Sequence, residues 1–305
     1  MEKRSRSEYF LSLSLLILAV LFWGFSFIST KIVLAEAPPA SIAFWRQIVS
    51  VAVLTPVILA GFLRGRFNLS GITRRDILLL AASGLAGIVL YFIFENNGLK
   101  YTTAASASMI VATVPIFTFF TEALFFKQRI TVRPSVCLAL SVAGVYLVVA
   151  DGGRPDFSSA RFLGNMLVVG AMICWVAYTV INKQLTGRYP SLLLTYSQTL
   201  FSIPLFLPFV LPETGRWRML SPGALLHLLY LGVCCSALGY FFYVYAVKRL
   251  GATLSAAFLN LIPVVTTGGG CFILGEKIGP VQLIGMGWIL GALYLLSLLE
   301  KERGS

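Results

Sequence analysis

The stretch Lys100–Glu122, KYTTAASASMIVATVPIFTFFTE, is apolar enough to enter a lipid bilayer and carries a proline, Pro115, near its middle. A second stretch of the same kind, KRLGATLSAAFLNLIPVVTTGGG, runs over Lys248–Gly270 and carries Pro263. In both stretches the lysine precedes the proline by fifteen positions, and alanine, serine and threonine fill much of the interval. Two membrane segments that proline interrupts at corresponding positions are typical of the binding region of a secondary transporter.

The composition of the whole chain is that of a membrane protein. Its 305 residues are 58% hydrophobic and 12% charged, with a mean hydropathy of +0.86, whereas a soluble domain is about half apolar and a quarter charged. The net charge of +12 lies in short segments between apolar runs, which indicates orientation in a membrane and no nucleic-acid partner. The five cysteines lie in apolar runs without CxxC spacing, and His227 is the one histidine. We therefore expect no metal and no cofactor.

Apolar runs of about twenty residues, enough to cross about 30 Å of hydrocarbon, set the predicted architecture. The predicted membrane helices are 9–30, 41–63, 76–99, 102–126, 132–150, 162–184, 191–211, 222–247, 252–274 and 280–299. The connections between them are short and carry glycine, proline, arginine and lysine. The predicted fold class is an all-α membrane protein with ten transmembrane helices and no soluble domain.

The distribution of basic residues predicts how the chain is oriented. Ten spans place both termini on one side, and with a cytoplasmic N-terminus the inner segments carry sixteen Lys and Arg residues and the outer segments six. This bias predicts a multi-pass protein of the cell (plasma or inner) membrane with both termini in the cytoplasm. Lys31 and Lys183 fall at predicted helix ends, where we expect their long side chains to snorkel to the membrane surface.

The two halves of the chain correspond residue by residue at offsets of 152 and then 148 positions. The corresponding pairs are Trp23 and Trp175, Lys31 and Lys183, Pro38 and Pro190, Pro56 and Pro208, Lys100 and Lys248, Pro115 and Pro263, and Gln128 and Glu276. Each half holds five predicted helices, and because five is odd the second copy enters the membrane from the opposite face. We expect a first repeat at 1–151, an inverted second repeat at 161–300 and a short cytoplasmic tail at 301–305.

Several of these elements occur together in one known family. They are the W-x7-K spacing of Trp23 and Lys31, its counterpart at Trp175 and Lys183, the prolines of the fourth and ninth helices, and the closing pattern GEKIGPVQLIGMGWILGALYLL at 275–296. With them the chain resembles the EamA family of the drug/metabolite transporter superfamily, although Lys127-Gln128 stands where Gly-Glu is usual. The resemblance implies export or exchange of small metabolites such as amino acids. It also implies a central cavity lined by helices one to four and six to nine.

Ionisable residues inside the predicted helices are candidate binding residues, because a charge at the bilayer centre costs about 3 kcal/mol on insertion scales. Glu95 lies toward the outer side of the third helix, with Tyr91 one turn back on the same face. It either serves transport, as a hypothesis by carrying a coupling proton, or forms a structural ion pair with Arg46 or Lys31. Arg46 either binds a substrate carboxylate through its planar fork or snorkels to the headgroups. Tyr243 holds the position of Glu95 in the second half.

Aromatic and small polar residues complete the candidate substrate-binding set. Trp23 and Trp175 lie inside their spans, and Tyr178 follows one turn after Trp175. Aromatic walls suit apolar or aromatic substrates, although plain packing is the alternative for each ring. Ser108 precedes the first central proline by seven residues, and Asn260 lies near the middle of the ninth helix, where its amide needs a partner from the substrate or a facing helix.

These residues lead to the prediction of a secondary transporter that works by alternating access, with Pro115 and Pro263 as hinges. No GxxxxGK[ST] motif for ATP occurs in the sequence, so a gradient or an exchange must drive transport. The predicted partners are a small-molecule substrate and the lipid bilayer. Gly287 and Gly291 have GxxxG spacing, which serves either packing within a monomer or a homodimer. The alternatives are a flippase for lipids or lipid-linked sugars on the same fold and, with less support, an intramembrane enzyme, because Glu95 and Glu122 lie near opposite membrane faces and the chain has one histidine.

Overall fold

A computed structural model describes residues 6–67, 71–114, 116–117, 121, 132–150, 159–186, 188–250, 258–259 and 261–304. Within these ranges the chain forms helices and no strand. The helices are α1 (Arg6–Leu34), α2 (Pro39–Leu63), α3 (Arg74–Leu99), α4 (Ala104–Ala112), α5 (Val132–Ala150), α6 (Ala160–Thr186), α7 (Ser191–Val210), α8 (Pro222–Tyr230, Leu231–Leu238 and Gly239–Leu250), α9 (Ile262–Leu274) and α10 (Pro280–Gly304).

Six helices in the described ranges, α1, α2, α3, α6, α7 and α8, are long and apolar enough to cross a membrane. Large apolar side chains on the outside of the molecule, such as Leu63 and Phe272, are almost fully exposed, as lipid-facing residues are. The protein is therefore an all-α, multi-pass membrane protein. The predicted spans 102–126 and 252–274 run through residues outside the described ranges, so the total of ten membrane helices stays a prediction.

Helix ends follow from local sequence chemistry. Pro39 and Pro222 occupy the first turn of α2 and α8, where a missing backbone N–H does no harm. Thr73 and Asp76 form a reciprocal capping box at the start of α3. The first helix is longer than predicted, because Arg6–Leu34 exceeds the expected 9–30 at both ends.

Two helices are interrupted at the positions that the central prolines predict. The backbone turns at Thr113, directly after α4, and turns again at Leu261, directly before α9. These two positions differ by the sequence offset of 148. Pro263 occupies the first turn of α9 rather than the middle of an unbroken helix, and Pro115 lies outside the described residues.

Two π-helical turns widen α3 at Leu85–Leu90 and α8 at Leu231–Leu238. Shifted by the offset of 148 positions, the first turn falls within the second, so the two turns lie at corresponding places in the two halves. An insertion of this kind adds a residue to a helical turn and occurs often at functional sites. No proline or other signal in the sequence predicts either one.

The helices pack mainly across the two halves of the chain. α1 contacts α8 and α9, α6 contacts α3 and α4, α2 contacts α7 and α8, α7 contacts α3, and α5 contacts α10. α5 and α10 approach each other closely at Gly144 and Gly285, since a Cβ on Gly285 would lie 2.7 Å from the Gly144 carbonyl oxygen. A Cβ built on Gly287 or Gly291 would meet no atom of the described residues within 4 Å, so the choice between packing within a monomer and a homodimer stays open.

Candidate functional site

A cavity of about 180 Å³ lies between α1, α2, α3, α4, α6, α8 and the start of α9. Its wall combines six aromatic rings with four polar side chains: Trp23, Phe27, Tyr91, Phe92, Trp175 and Tyr240, with Ser26, Arg46, Glu95 and Ser108. The residues next to the two helix interruptions, Val114 and Pro263 among them, also line it. The cavity thus joins the chemically distinctive residues of several helices at one place.

Arg46 is held in the cavity wall. Its side chain is 4% exposed, its Nε donates to Ser236 Oγ at 3.0 Å, and its guanidinium carbon lies 4.2 Å from the ring centre of Phe92. The snorkelling alternative for this residue is therefore wrong. Among the described residues, the two terminal nitrogens of the guanidinium have no hydrogen-bond partner.

Glu95 lies in the same wall and is 6% exposed. The Tyr91 hydroxyl donates to Glu95 Oε1 at 2.7 Å, as their spacing of one helical turn allows. No Lys or Arg of the described residues approaches this carboxylate within 4.0 Å, so the alternative of a structural ion pair with Arg46 or Lys31 is wrong. One positive and one negative group thus line a single cavity without neutralising each other directly.

The two tryptophans are fixed by neighbours from the other half of the chain. Trp23 donates from Nε1 to the Cys235 carbonyl at 3.0 Å, and its ring lies 5.3 Å from Tyr240. Tyr243 packs on the same tryptophan at 5.4 Å, outside the cavity lining. Trp175 contacts the Tyr91 ring at 5.2 Å. The rings therefore form two groups, one around Trp23 and one around Trp175.

A second, water-sized cavity of about 20 Å³ adjoins the first at Phe92 and Tyr240. Tyr178, which the sequence assigns to the binding set, lines this smaller cavity. Its hydroxyl donates to Gln198 Oε1 at 3.3 Å and accepts from Asn182 Nδ2 at 3.2 Å. Gln198 Nε2 donates to Asn182 Oδ1 at 3.0 Å, which closes a ring of three polar side chains.

The other predicted site residues have mixed outcomes. Ser108 lines the main cavity, and its hydroxyl donates to the Ala105 carbonyl at 2.9 Å. Asn260 and Pro115 lie outside the described residues. His227 lies 3.1 Å from the Ser29 hydroxyl, and the described part of the chain has no group of three metal-ligating side chains.

Sequence reasoning missed Phe92, Ser236 and Tyr240. Phe92 and Tyr240 lie in helices rich in aromatic residues, and Ser236, which accepts from Arg46, lies in the π-helical turn of α8 that the sequence does not indicate. The neighbourhood of Tyr91 and Glu95 was the one signal available for Phe92, since all three lie within two turns.

Carboxylates tie helix ends together at the end of the molecule where α1 stops, the predicted outer side. Glu276 accepts from Lys31 Nζ at 2.8 Å and from the Ala104 and Ala105 N–H groups at 2.7 and 3.2 Å. Lys31 therefore forms an ion pair, and the prediction that it snorkels to the membrane surface is wrong. Glu213 accepts from the N–H groups of Ala40 and Ser41 at the start of α2.

A third carboxylate lies in the connection between α1 and α2. Glu36 accepts from both the backbone N–H and the hydroxyl of Ser221, at 2.7 and 2.6 Å. These two hydrogen bonds lower the pKa of the Glu36 carboxyl below its ordinary value. The connection is thereby fixed to the start of α8.

A multi-pass helical membrane protein with a charged, aromatic central cavity is the class that this fold and site define. The sequence model of the EamA-like transporter family matches residues 10–150 and again residues 162–298. The chain belongs to this family, within the drug/metabolite transporter superfamily.

Individual relatives extend over nearly the whole chain. An uncharacterized transporter of Archaeoglobus fulgidus is 31% identical over 94% of this chain and 98% of its own length. A protein of Streptantibioticus cattleyicolor named as a probable terminal-alkyne amino-acid exporter is 28% identical over 88% of each chain. A crystal structure of a protein with 21% sequence identity superposes with a TM-score of 0.67 over 99% of both chains, which shows a common fold.

Proposed function

We propose that the protein is a secondary transporter that exports or exchanges small amphipathic metabolites, such as amino acids, by alternating access through the central cavity. The observation that carries this proposal is that Arg46 and Glu95 line one buried aromatic cavity with polar atoms left over. Buried charges within a membrane are costly and usually functional. A solute with a carboxylate, an ammonium group and an apolar side chain would satisfy both groups and the rings at once.

The size of the cavity supports a small solute. A cavity of about 150 Å³ holds a benzene molecule, and this cavity measures about 180 Å³. An amino acid with a six-membered ring is of that order, whereas a lipid-linked sugar is far larger. The volume therefore favours a metabolite transporter over a flippase, and the proposal assigns the chain no catalytic reaction.

The inverted-repeat part of the proposal draws support from packing. The contacts of α1 with α8 and α9 correspond to those of α6 with α3 and α4 when the halves are exchanged. A Cβ on Gly232 would lie 3.1 Å from the Arg46 carbonyl oxygen, and one on Gly84 would lie 2.8 Å from that of Gln198. These glycines and their partners are related by the offsets of 148 and 152.

Alternating access requires that the cavity open to each side in turn. We infer that the interruptions at Thr113 and Leu261 allow the halves to rock, with Pro115 and Pro263 as hinges. Contacts of Glu276, Glu213 and Glu36 at the predicted outer end would close that side. The excess of basic residues on the opposite side supports a cytoplasmic location for both termini in the cell membrane.

Uptake of radiolabelled L-phenylalanine into proteoliposomes preloaded with the unlabelled amino acid tests the proposal. Wild-type protein should exchange it, and Arg46→Gln and Glu95→Gln should each reduce the ratio of maximal rate to KM by at least about tenfold, the loss expected from one charged hydrogen bond. A control with Arg216→Gln, which removes a charge from the exposed segment that follows α7, should exchange normally. Exchange that neither cavity variant alters would refute the assignment of the site.

A further inference from the structure

We propose that Ser236 is a positioning residue for Arg46. Presented by the π-helical turn of α8, its hydroxyl engages Arg46 Nε and leaves the two terminal nitrogens of the guanidinium to receive a carboxylate in the cavity. This inference rests on the proposed function, because it assumes that the cavity admits a carboxylate-bearing solute. It adds a selectivity determinant on α8 that the sequence did not indicate.

The geometry around Arg46 leaves one side of its fork available. A guanidinium has five N–H donors in a fixed plane, and carboxylates prefer to accept two parallel bonds from it. Here Nε is engaged by Ser236 at 3.0 Å, and the flat face lies over Phe92. Both Arg46 and Ser236 are 4% exposed. The edge formed by the two terminal nitrogens is the one that remains for a bidentate contact.

The π-helical turn places Ser236 where this contact requires it. Cys235 and Ser236 are consecutive residues, yet the carbonyl of the first holds Trp23 of α1 and the hydroxyl of the second holds Arg46 of α2. Each residue in an α-helix advances by about 100°, so removal of the extra residue of the π turn would rotate position 236 away from α2. Gly232 lets the backbones of α2 and α8 touch at this level.

The corresponding place in the other half supports a link between the hydroxyl and the arginine. By the offsets between the halves, Ile88 corresponds to Ser236 and Gln198 corresponds to Arg46. Both Ile88 and Gln198 line the smaller cavity. Position 88 lies in the other π-helical turn. In this half α7, which corresponds to α2, carries the neutral amide of Gln198, and the π-helical turn of α3 carries Ile88, which has no hydroxyl. A purely structural role for the turn would not require the serine to accompany the charge.

Transport kinetics with two probes separate positioning from a structural role. In proteoliposomes, Ser236→Ala should raise the KM for L-phenylalanine by about tenfold, the loss expected from one hydrogen bond to a charged group. The KM for L-phenylalaninamide, which lacks the carboxylate, should stay the same, and Ser236→Thr should restore the wild-type KM. In an Arg46→Gln background, Ser236→Ala should add nothing. Equal increases for both probes, or additive effects of the two substitutions, would overturn the proposal.

A measurement without solute keeps the inference distinct from the proposed function. In protein labelled with ¹⁵N at arginine Nε, the resonance lost in Arg46→Lys belongs to Arg46. Its Nε–H should exchange slowly with solvent in wild type and Ser236→Thr, and faster in Ser236→Ala. Wild type that transports neither probe but shows this pattern would refute the proposed solute and retain the positioning of Arg46. Equal exchange rates in wild type and Ser236→Ala would refute the positioning itself.

Discussion

Replacing Glu276 by glutamine is expected to weaken the closure of the predicted outer end. The Glu276 carboxylate follows Gly275, whose φ of +66° lets the chain turn back toward α4. It binds Lys31 and the first two N–H groups of α4. Glutamine keeps the shape of the side chain but removes its charge, so the ion pair and the favourable interaction with the helix N-terminus are both reduced.

The size of the effect follows from burial. A hydrogen bond to a charged group contributes about 1.5–3 kcal/mol. The Glu276 side chain is 6% exposed and that of Lys31 is 27% exposed, so solvent screening favours the lower end of that range. A loss of about 1.5 kcal/mol changes the ratio of closed to outward-open molecules by roughly tenfold.

Labelling of one introduced cysteine reads out this ratio. In a background without the five native cysteines, Ser108→Cys places a thiol in the cavity wall. A membrane-impermeant maleimide applied from the outer side should react with it about tenfold faster when Glu276→Gln is added, as the shift of about 1.5 kcal/mol requires. Lys277→Gln is the matched control, since it removes an exposed neighbouring charge. A labelling rate that Glu276→Gln leaves unchanged would show that this carboxylate does not govern outer closure.

Three further predictions concern coupling, packing and pH. If Glu95 carries the coupling proton, Glu95→Gln should abolish the pH dependence of L-phenylalanine transport in liposomes, and an unchanged pH profile would contradict it. Gly232→Ala should lower the melting temperature through overpacking of about 1–3 kcal/mol, because its Cβ would lie 2.5 Å from Val49 Cβ, while Gly287→Ala meets open space and should not. The hydrogen bonds of Glu36 with Ser221 lower the pKa of its carboxyl. They therefore stabilise the folded protein fully above the ordinary carboxyl pKa, and this stabilisation is lost as pH falls through the lowered pKa. Melting of Glu36→Gln should therefore respond less to acid than melting of wild type, and equal responses would refute this role.

The sequence predicted the parts of the fold that depend on hydropathy and on proline. Apolar length located the six long helices, and the central prolines marked the interruptions at Thr113 and Leu261. The π-helical turns escaped prediction because an extra residue in a turn changes the rotation of the helix without a change in composition. The partners of Arg46 depend on that rotation.

Depth in the membrane left snorkelling open for Arg46 and was a poor guide to Lys31. Hydropathy places Lys31 at a helix end, where a long side chain normally reaches water. The nearby carboxylate of Glu276 comes from the connection before α10, 245 positions along the chain. A contact at such a separation follows from the packing of the helices and has no local signal.

The helix packing around the cavity is alike in the two halves of the chain, whereas the charged residues of the cavity are not. The glycines that let α8 touch α2 and α3 touch α7 occupy corresponding positions, so the frame of the cavity treats the two halves alike. The charges do not, because Gln198 and Tyr243 stand where the first half has Arg46 and Glu95. A frame built alike in both halves suits a motion that opens either side, whereas a fixed polar solute needs one arrangement of opposite charges. Placing both charges in one half lets them move as a unit, so the solute would keep the same ionic contacts while the access side changes.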